Sequence, residues 1–185
     1  MQHKLNVKCP IMSIEPNYIV KICLLGEANV GKTSLVYRFI ENKFRGNYKS
    51  TLGVNLLKKD MIIEEHGDVS AQIWDLGGQE SFRNLRKLYL EGANGALVIY
   101  DCTKRSSFEK LDEWIQDFKD ARGDEPLLLI GNKKDLTDTI KIEDSEALVL
   151  AKSFNMEFIS TSAKTGDNVE EAFLKVLKTI LNKSL

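Results

Sequence analysis

The residues best suited to chemistry fall in short loops. The first loop is Gly26-Glu27-Ala28-Asn29-Val30-Gly31-Lys32-Thr33, which fits G-x-x-x-x-G-K-[ST]. Glycines let the backbone curl until successive N–H groups point at one anion. At this spacing Lys32 reaches β- and γ-phosphates, the Thr33 hydroxyl ligates magnesium, and Ser34 follows in the same turn. The expected ligand is a nucleoside triphosphate with Mg2+. Gly26, Ala28, Asn29, Val30, Gly31, Lys32, Thr33 and Ser34 should surround its phosphates. The motif alone chooses neither ATP nor GTP, and it leaves switch, kinase and motor open.

The second loop is Asn132-Lys133-Lys134-Asp135, after a short apolar run. Guanine presents N1–H and its 2-amino group side by side, and an ionised carboxylate accepts both. Adenine offers neither donor there, so Asp135 would be left desolvated and unpaired, a strong basis for rejecting it. A third loop, Thr161-Ser162-Ala163-Lys164, follows another short apolar run. A residue as small as Ala163 lets a backbone N–H approach the base oxygen, and Lys164 can stack over the ring. Without the phosphate loop upstream, these two loops would read as solvated charged turns.

The remaining chemistry lies between. Asp75 ends a strand-like run and is followed by Leu76-Gly77-Gly78-Gln79. An acid placed so, paired with Thr33, holds magnesium through a water. Gly78 can offer its N–H to a γ-phosphate, and Gln79 can orient the attacking water. Thr51 is the candidate second hydroxyl on the metal, engaged only while γ-phosphate is present. That would give two states, a loop ordered by GTP and released with GDP. Lys32 and Gln79 are then the catalytic pair. No arginine is placed to act as a finger in cis. Arg83 and Arg86 lie in the switch segment, from which they could approach the phosphates, but a solvated face turned to partners is the favoured reading. Two rivals stay open here: a GTP-dependent binding module with little or no hydrolysis, and a P-loop ATPase or small kinase, which has no use for Asp135.

Apolar patterning supplies elements to position these loops. Residues 18–25, 95–100 and 126–130 are continuous apolar runs, as in strands covered on both faces. Residues 54–64 and 69–74 read as a strand pair, and 156–160 as a further strand. Helices are expected at 33–40, on a stripe of Phe108, Leu111, Ile115 and Phe118, at 143–154, and from Val169 through Ile180. Ser106 with Glu109 has the spacing of a capping box. The expected fold is α/β: a mostly parallel six-stranded sheet, one antiparallel edge strand and helices on both faces. Residues 1–17 read as an appendage to a domain of residues 18–182.

Bulk properties narrow the classes. The 185 residues suit one domain, 43% are apolar, and 26 basic against 27 acidic residues leave a net charge of −1. That balance does not favour a nucleic-acid partner. Cys9, Cys23 and Cys102 form no C-x-x-C pair, which suits a reducing cytosol. No run approaches the roughly 20 apolar residues of a membrane span. Gln2 excludes N-myristoylation, and the absence of cysteine after Cys102 excludes a prenylation box in the sequence as written. A cytoplasmic monomer that meets membranes only through partners, or through a tail outside this chain, is expected.

Taken in order, these motifs resemble those of the Ras-superfamily small GTPases, with a P-loop NTPase G domain. Thr51-Leu52-Gly53-Val54 resembles the T-I-G-V stretch of Rab and Rab-like proteins, and Gln79-Glu80-Ser81-Phe82 resembles their Q-E-x-[FY]. Trp74-Asp75-Leu76-Gly77-Gly78-Gln79 resembles the Arf-type W-D-x-G-G-Q instead. The resemblance implies that Phe44 packs against the base, Tyr48 lies over the phosphates and Ala28-Asn29 sits beside the γ-phosphate. It also implies GTP and GDP as ligands. Effectors, a GAP and an exchange factor would meet residues 45–57 and 79–89, from Arg45 to Leu57 and from Gln79 to Tyr89.

Overall fold

A computed structural model describes residues 16–44, 46, 50–79 and 83–183. Tyr48, Arg45, residues 80–82 and most of the 1–17 appendage lie outside those residues. Among the described residues, six strands form one sheet in the order β2-β3-β1-β4-β5-β6. They are β1 (Tyr18–Leu25), β2 (Val54–Ile63), β3 (Gly67–Leu76), β4 (Gly95–Asp101), β5 (Leu127–Asn132) and β6 (Glu157–Ser160). Only β2 runs antiparallel, paired with β3 from Val54 opposite Leu76 to Ile63 opposite Gly67. The other pairings are parallel. The expected architecture is therefore the observed one.

Alternation in β1 explains why the sheet needs cover on both sides. Val20, Ile22 and Leu24 face a core with α1 (Lys32–Glu41) and α6 (Val169–Lys183). Cys23 and Leu25 face the opposite core, built with α4 (Leu111–Arg122) and α5 (Asp144–Ser153). Phe39 of α1 stacks on Phe173 of α6, centroids 4.2 Å apart and planes 4° from parallel. Such a pair contributes about 0.5–1.5 kcal/mol beyond its area, and it fixes the helix that carries the phosphate loop.

On the other face, α2 (Arg83–Leu90) packs back on α4. Arg86 Nη1 donates to Asp117 Oδ2 at 2.8 Å, and its guanidinium stacks 3.5 Å above the Trp114 ring. With 4% exposure, Arg86 is not the solvated side chain that the sequence suggested. Stacking on indole and a carboxylate partner together make its burial tolerable.

The helix start near Ser106 also differs from expectation. Two helices, α3 (Arg105–Glu109) and α4, meet at Lys110. The N-cap of α3 is Lys104, without a side-chain cap bond, so Ser106 and Glu109 form no capping box. The buried neighbour Ser107 holds this corner instead. Its hydroxyl donates to Lys104 O at 2.7 Å and accepts the Asp101 N–H at 3.1 Å, joining the helix start to the end of β4.

Candidate functional site

The phosphate loop leaves β1 and enters α1 through Gly31. This residue is the helix N-cap, at φ 99°, with no side-chain cap bond. A Cβ there would meet Asn132 Nδ2 at 2.3 Å, so both conformation and space call for glycine. Without a side-chain cap, the first N–H groups of α1 remain available to an anion. Lys32 is 5% exposed, and its Nζ donates to Gly26 O at 2.6 Å and Glu27 O at 2.8 Å. Burial pushes the amine down to about 8, while Asp75 and Glu27 pull the other way. It is a desolvated cation held beside the loop.

Next to it, three oxygens converge. Thr33 Oγ1 donates to Asp75 Oδ2 at 2.5 Å, and Thr51 Oγ1 lies 2.8 Å from Thr33 Oγ1 and 3.2 Å from Asp75 Oδ2. Asp75 is fully buried, and burial raises its pKa against the bonds from both threonines and the charge of Lys32. Its second oxygen, Oδ1, is buried with no hydrogen-bond partner. An orphaned carboxylate oxygen beside two hydroxyls suits a hard cation. One carboxylate and two hydroxyls do not complete an octahedron, so phosphate and water would supply the rest. Among the described residues no cluster of three or more His, Cys, Asp or Glu offers a protein-only metal cage.

Gly78 lies against the phosphate loop itself. A Cβ on it would stand 2.3 Å from Ala28 N, an approach open only to glycine. The neighbouring Gly77 N–H donates to Gly53 O at 2.7 Å, which ties the end of β3 to the segment carrying Thr51.

The far end of the cavity is built from the loops after β5 and β6. Asn132 lines it but commits its amide to the framework. Its Nδ2 donates to Val30 O at 2.8 Å, and its Oδ1 accepts from Ala163 N–H at 3.1 Å and Thr161 Oγ1 at 3.3 Å. One amide thus joins three loops. Ser162 Oγ donates to Asp135 Oδ1 at 2.6 Å, and Lys164 Nζ stands 3.7 Å from Asp135 Oδ2. Lys133, at φ 70°, places Nζ 2.6 Å from Asp101 Oδ2. Asp101 is nearly buried, its other oxygen taking the Thr103 N–H at 2.9 Å and hydroxyl at 2.7 Å. Sequence reasoning missed Asp101, although an acid at a strand's carboxyl end is the kind of signal that singled out Asp75.

All of this surrounds one cavity of about 340 Å³. Ala28, Asn29, Gly31, Lys32, Thr33, Ser34, Phe44, Thr51, Gly78, Gln79, Asn132, Lys133, Asp135, Ala163 and Lys164 line it, as do Gly46, Ser50 and Leu136, which the motifs did not indicate. Gly26, Val30, Asp75 and Ser162 stand behind the lining. Gly26 and Val30 offer carbonyls to Lys32 and Asn132, Asp75 takes the threonine hydroxyls, and Ser162 bonds Asp135.

A family model described as Ras family matches residues 21–182. GTP-binding protein ypt3 of Schizosaccharomyces pombe is 39% identical over 176 residues, spanning 92% of this chain and 82% of that protein. Ras-related protein Rab-4 of Dictyostelium discoideum is 39% identical over 170 residues, spanning 91% and 82%.

Proposed function

This chain belongs to the Ras family as a Rab-like small GTPase, and we propose that its cavity holds GTP or GDP with one magnesium ion, as a switch in membrane traffic. The observation that carries the reading is the pairing within one cavity of the Thr33 and Thr51 hydroxyls, backed by Asp75, at one end with Asp135 at the other. The first suits a metal-bound triphosphate and the second a guanine. ATP should therefore compete poorly with GTP for the site. Equal displacement of a fluorescent GDP by ATP and GTP would remove the guanine assignment.

When bound, the metal would neutralise charge on the β- and γ-phosphate oxygens. Thr33 and Thr51 would hold it by their hydroxyls, and Asp75 from behind through a water. Lys32 and the free N–H groups of α1 stabilise the charge that spreads over the phosphate during in-line attack by water. Gly78 offers its N–H at the same end, and Gln79, on the cavity wall, orients the water. Phe44, on the cavity wall, flanks the base. Because Arg86 is engaged by Asp117 and Trp114, we assign it no part in turnover. Intrinsic hydrolysis should then run on the order of 10⁻⁴ to 10⁻² per second, with a GAP supplying an arginine in trans. In single-turnover phosphate release, Gln79→Leu should be slower by roughly tenfold or more. A variant as fast as wild type would remove Gln79 from the mechanism.

Thr51 precedes β2, in a segment joined to the site by its own hydroxyl and by the Gly77–Gly53 bond. Loss of γ-phosphate and metal would release it. We read Gly77, the Arf-like feature of this stretch, as what lets that segment close in, since a Cβ there would stand 2.7 Å from Thr51 O. Leu52, Leu56, Leu85 and Leu88 expose 75%, 56%, 42% and 62% of their surface along 45–57 and 79–89. Exposed leucines within nucleotide-sensed segments suit docking by effectors, a GAP and an exchange factor. Among the described residues no helix is long and apolar enough to cross a membrane. We infer a monomer on the cytoplasmic side that reaches membranes through partners or through a lipidated tail outside this chain.

A further inference from the structure

Arg38 belongs to no motif, yet it makes two long-range bonds to the loop after β6 at the base end of the cavity. It lies near the carboxyl end of α1. Its Nε donates to Ala163 O at 2.9 Å and its Nη2 to Lys164 O at 2.6 Å. The remaining Nη1 reaches Asn42 O at 3.1 Å and Asn42 Oδ1 at 3.3 Å. Asn42 is the C-cap of α1, at φ 52°. One guanidinium therefore clamps two successive carbonyls of the loop after β6 to the last turn of α1. Its planar fork suits this task, whereas an ammonium can act only as a single point.

The clamp continues beyond the carbonyls. A trans peptide points its N–H opposite its C=O, so fixing Lys164 O also fixes the Thr165 N–H. That N–H donates to Ser162 Oγ at 3.1 Å. With its oxygen occupied as acceptor, the Ser162 hydroxyl turns its proton to Asp135 Oδ1, 2.6 Å away. The chain of contacts is thus Arg38, Lys164 C=O, Thr165 N–H, Ser162 hydroxyl, Asp135 carboxylate. Bonds linked in this way polarise and align one another. Arg38 also holds the carbonyl of Ala163, whose N–H, on the preceding peptide, donates to Asn132 Oδ1.

We propose that Arg38 is a positioning residue for base recognition: it holds the loop after β6 so that Ser162 keeps Asp135 aimed at the base, and it ties that aim to the end of α1. This rests on the reading of Asp135 as the guanine acceptor. The same contact makes nucleotide retention sensitive to the segment that leaves α1 after Asn42 and carries Phe44 to the cavity wall.

The test compares GDP with IDP, which lacks the 2-amino group and so gives Asp135 one donor instead of two. Dissociation of each from the full chain is measured for wild type, Arg38→Gln, Arg38→Lys and Ser162→Ala, with thermal unfolding in parallel. Arg38→Gln should release GDP about tenfold faster and shrink the GDP-over-IDP preference at least about threefold. Lysine, able to restore one carbonyl bond, should fall between. Ser162→Ala should shrink the preference alone, and adding Arg38→Gln to it should shrink it little further, as expected for residues acting in series. If Arg38→Gln lowers the melting temperature but leaves the preference unchanged, Arg38 is only a strut and the proposal is overturned. Additive losses in the double variant would overturn the relay. A wild type that holds ADP as firmly as GDP would instead overturn the guanine reading, which separates the two failures.

Discussion

Replacing Asp135 by asparagine should turn the protein from GTP toward XTP, with GTP affinity falling roughly 10³-fold or more. A carboxylate accepts the N1–H and 2-amino donors together. An asparagine side chain keeps one acceptor and turns a donor toward the 2-position, where it meets the guanine amine but bonds the xanthine carbonyl. A buried site built on polar complementarity rejects the wrong partner by about 10⁴–10⁵, because the mismatch leaves groups desolvated and unpaired. The local framework tolerates the change, since an amide oxygen can still accept from Ser162 Oγ, now 2.6 Å from Asp135 Oδ1. Only the 3.7 Å approach of Lys164 to the carboxylate loses its charge partner, and with the Lys164 side chain largely in water that long contact contributes little. Competition of GTP, ATP and XTP against fluorescent GDP, on wild type and variant, reads the outcome. Weakening toward every nucleotide alike, with no gain for XTP, would mean that Asp135 shapes the loop and does not read the base.

Lys32→Met should separate binding from stability in opposite directions. The amine is nine-tenths buried and more, and burial holds it down at about 8 against an ordinary 10.5. Below pH 8 the nucleotide-free fold therefore carries a cationic amine away from water, with two carbonyls and Asp75 in partial compensation. Methionine fills similar space without that cost, so the free protein should melt at the same temperature or higher. Nucleotide affinity, by contrast, should fall by roughly 10²-fold or more, the usual result of truncating one member of a buried charge pair. The pH dependence has a definite sign. Between about 8 and 10.5 the unfolded chain holds a proton that the folded one has lost, so nucleotide-free stability gains from this residue as pH rises through that window. The gain should be absent in Lys32→Met. Thermal melts from pH 7 to 10, with and without GDP, decide it. A variant that unfolds more easily without ligand would make Lys32 a structural residue.

The fold and most of the cavity wall were legible in the sequence because both rest on local signals. Continuous apolar runs marked the covered strands. The loops after β1, β5 and β6 announced themselves by spacing, and they do meet at one cavity. What stayed hidden depends on partners far along the chain. Arg38 and Ala163 are separated by 125 residues, and no spacing rule joins them. Arg86 reads as solvated until α2 is folded back onto Trp114 and Asp117. Ser106 and Glu109 carry a capping pattern, but the tie between Ser107 and the end of β4 sets where that helix begins. Asn132 reads as a base contact by its motif, whereas its hydrogen bonds make it the joint among three loops. Local chemistry thus predicted which residues gather, and tertiary packing decided which of them face the cavity.

The strand order carries a consequence for synthesis. The first strand among the described residues, β1, lies in the interior of the sheet, between β3 and β4. On the ribosome the β2–β3 hairpin can form at once, but β1 has no neighbour until β3 has emerged, and its second edge waits for β4. Such distant pairings close slowly and leave apolar edges open in the meantime. The cavity waits longer still, because its wall runs from Ala28 to Lys164. A nascent chain therefore cannot close the site around the nucleotide before the loop after β6 has emerged, and it gains the mass-action stabilisation of that ligand only from then on. The nucleotide then acts as a seal on completed chains, and a product truncated before the loop after β6 would be left to chaperones and proteases.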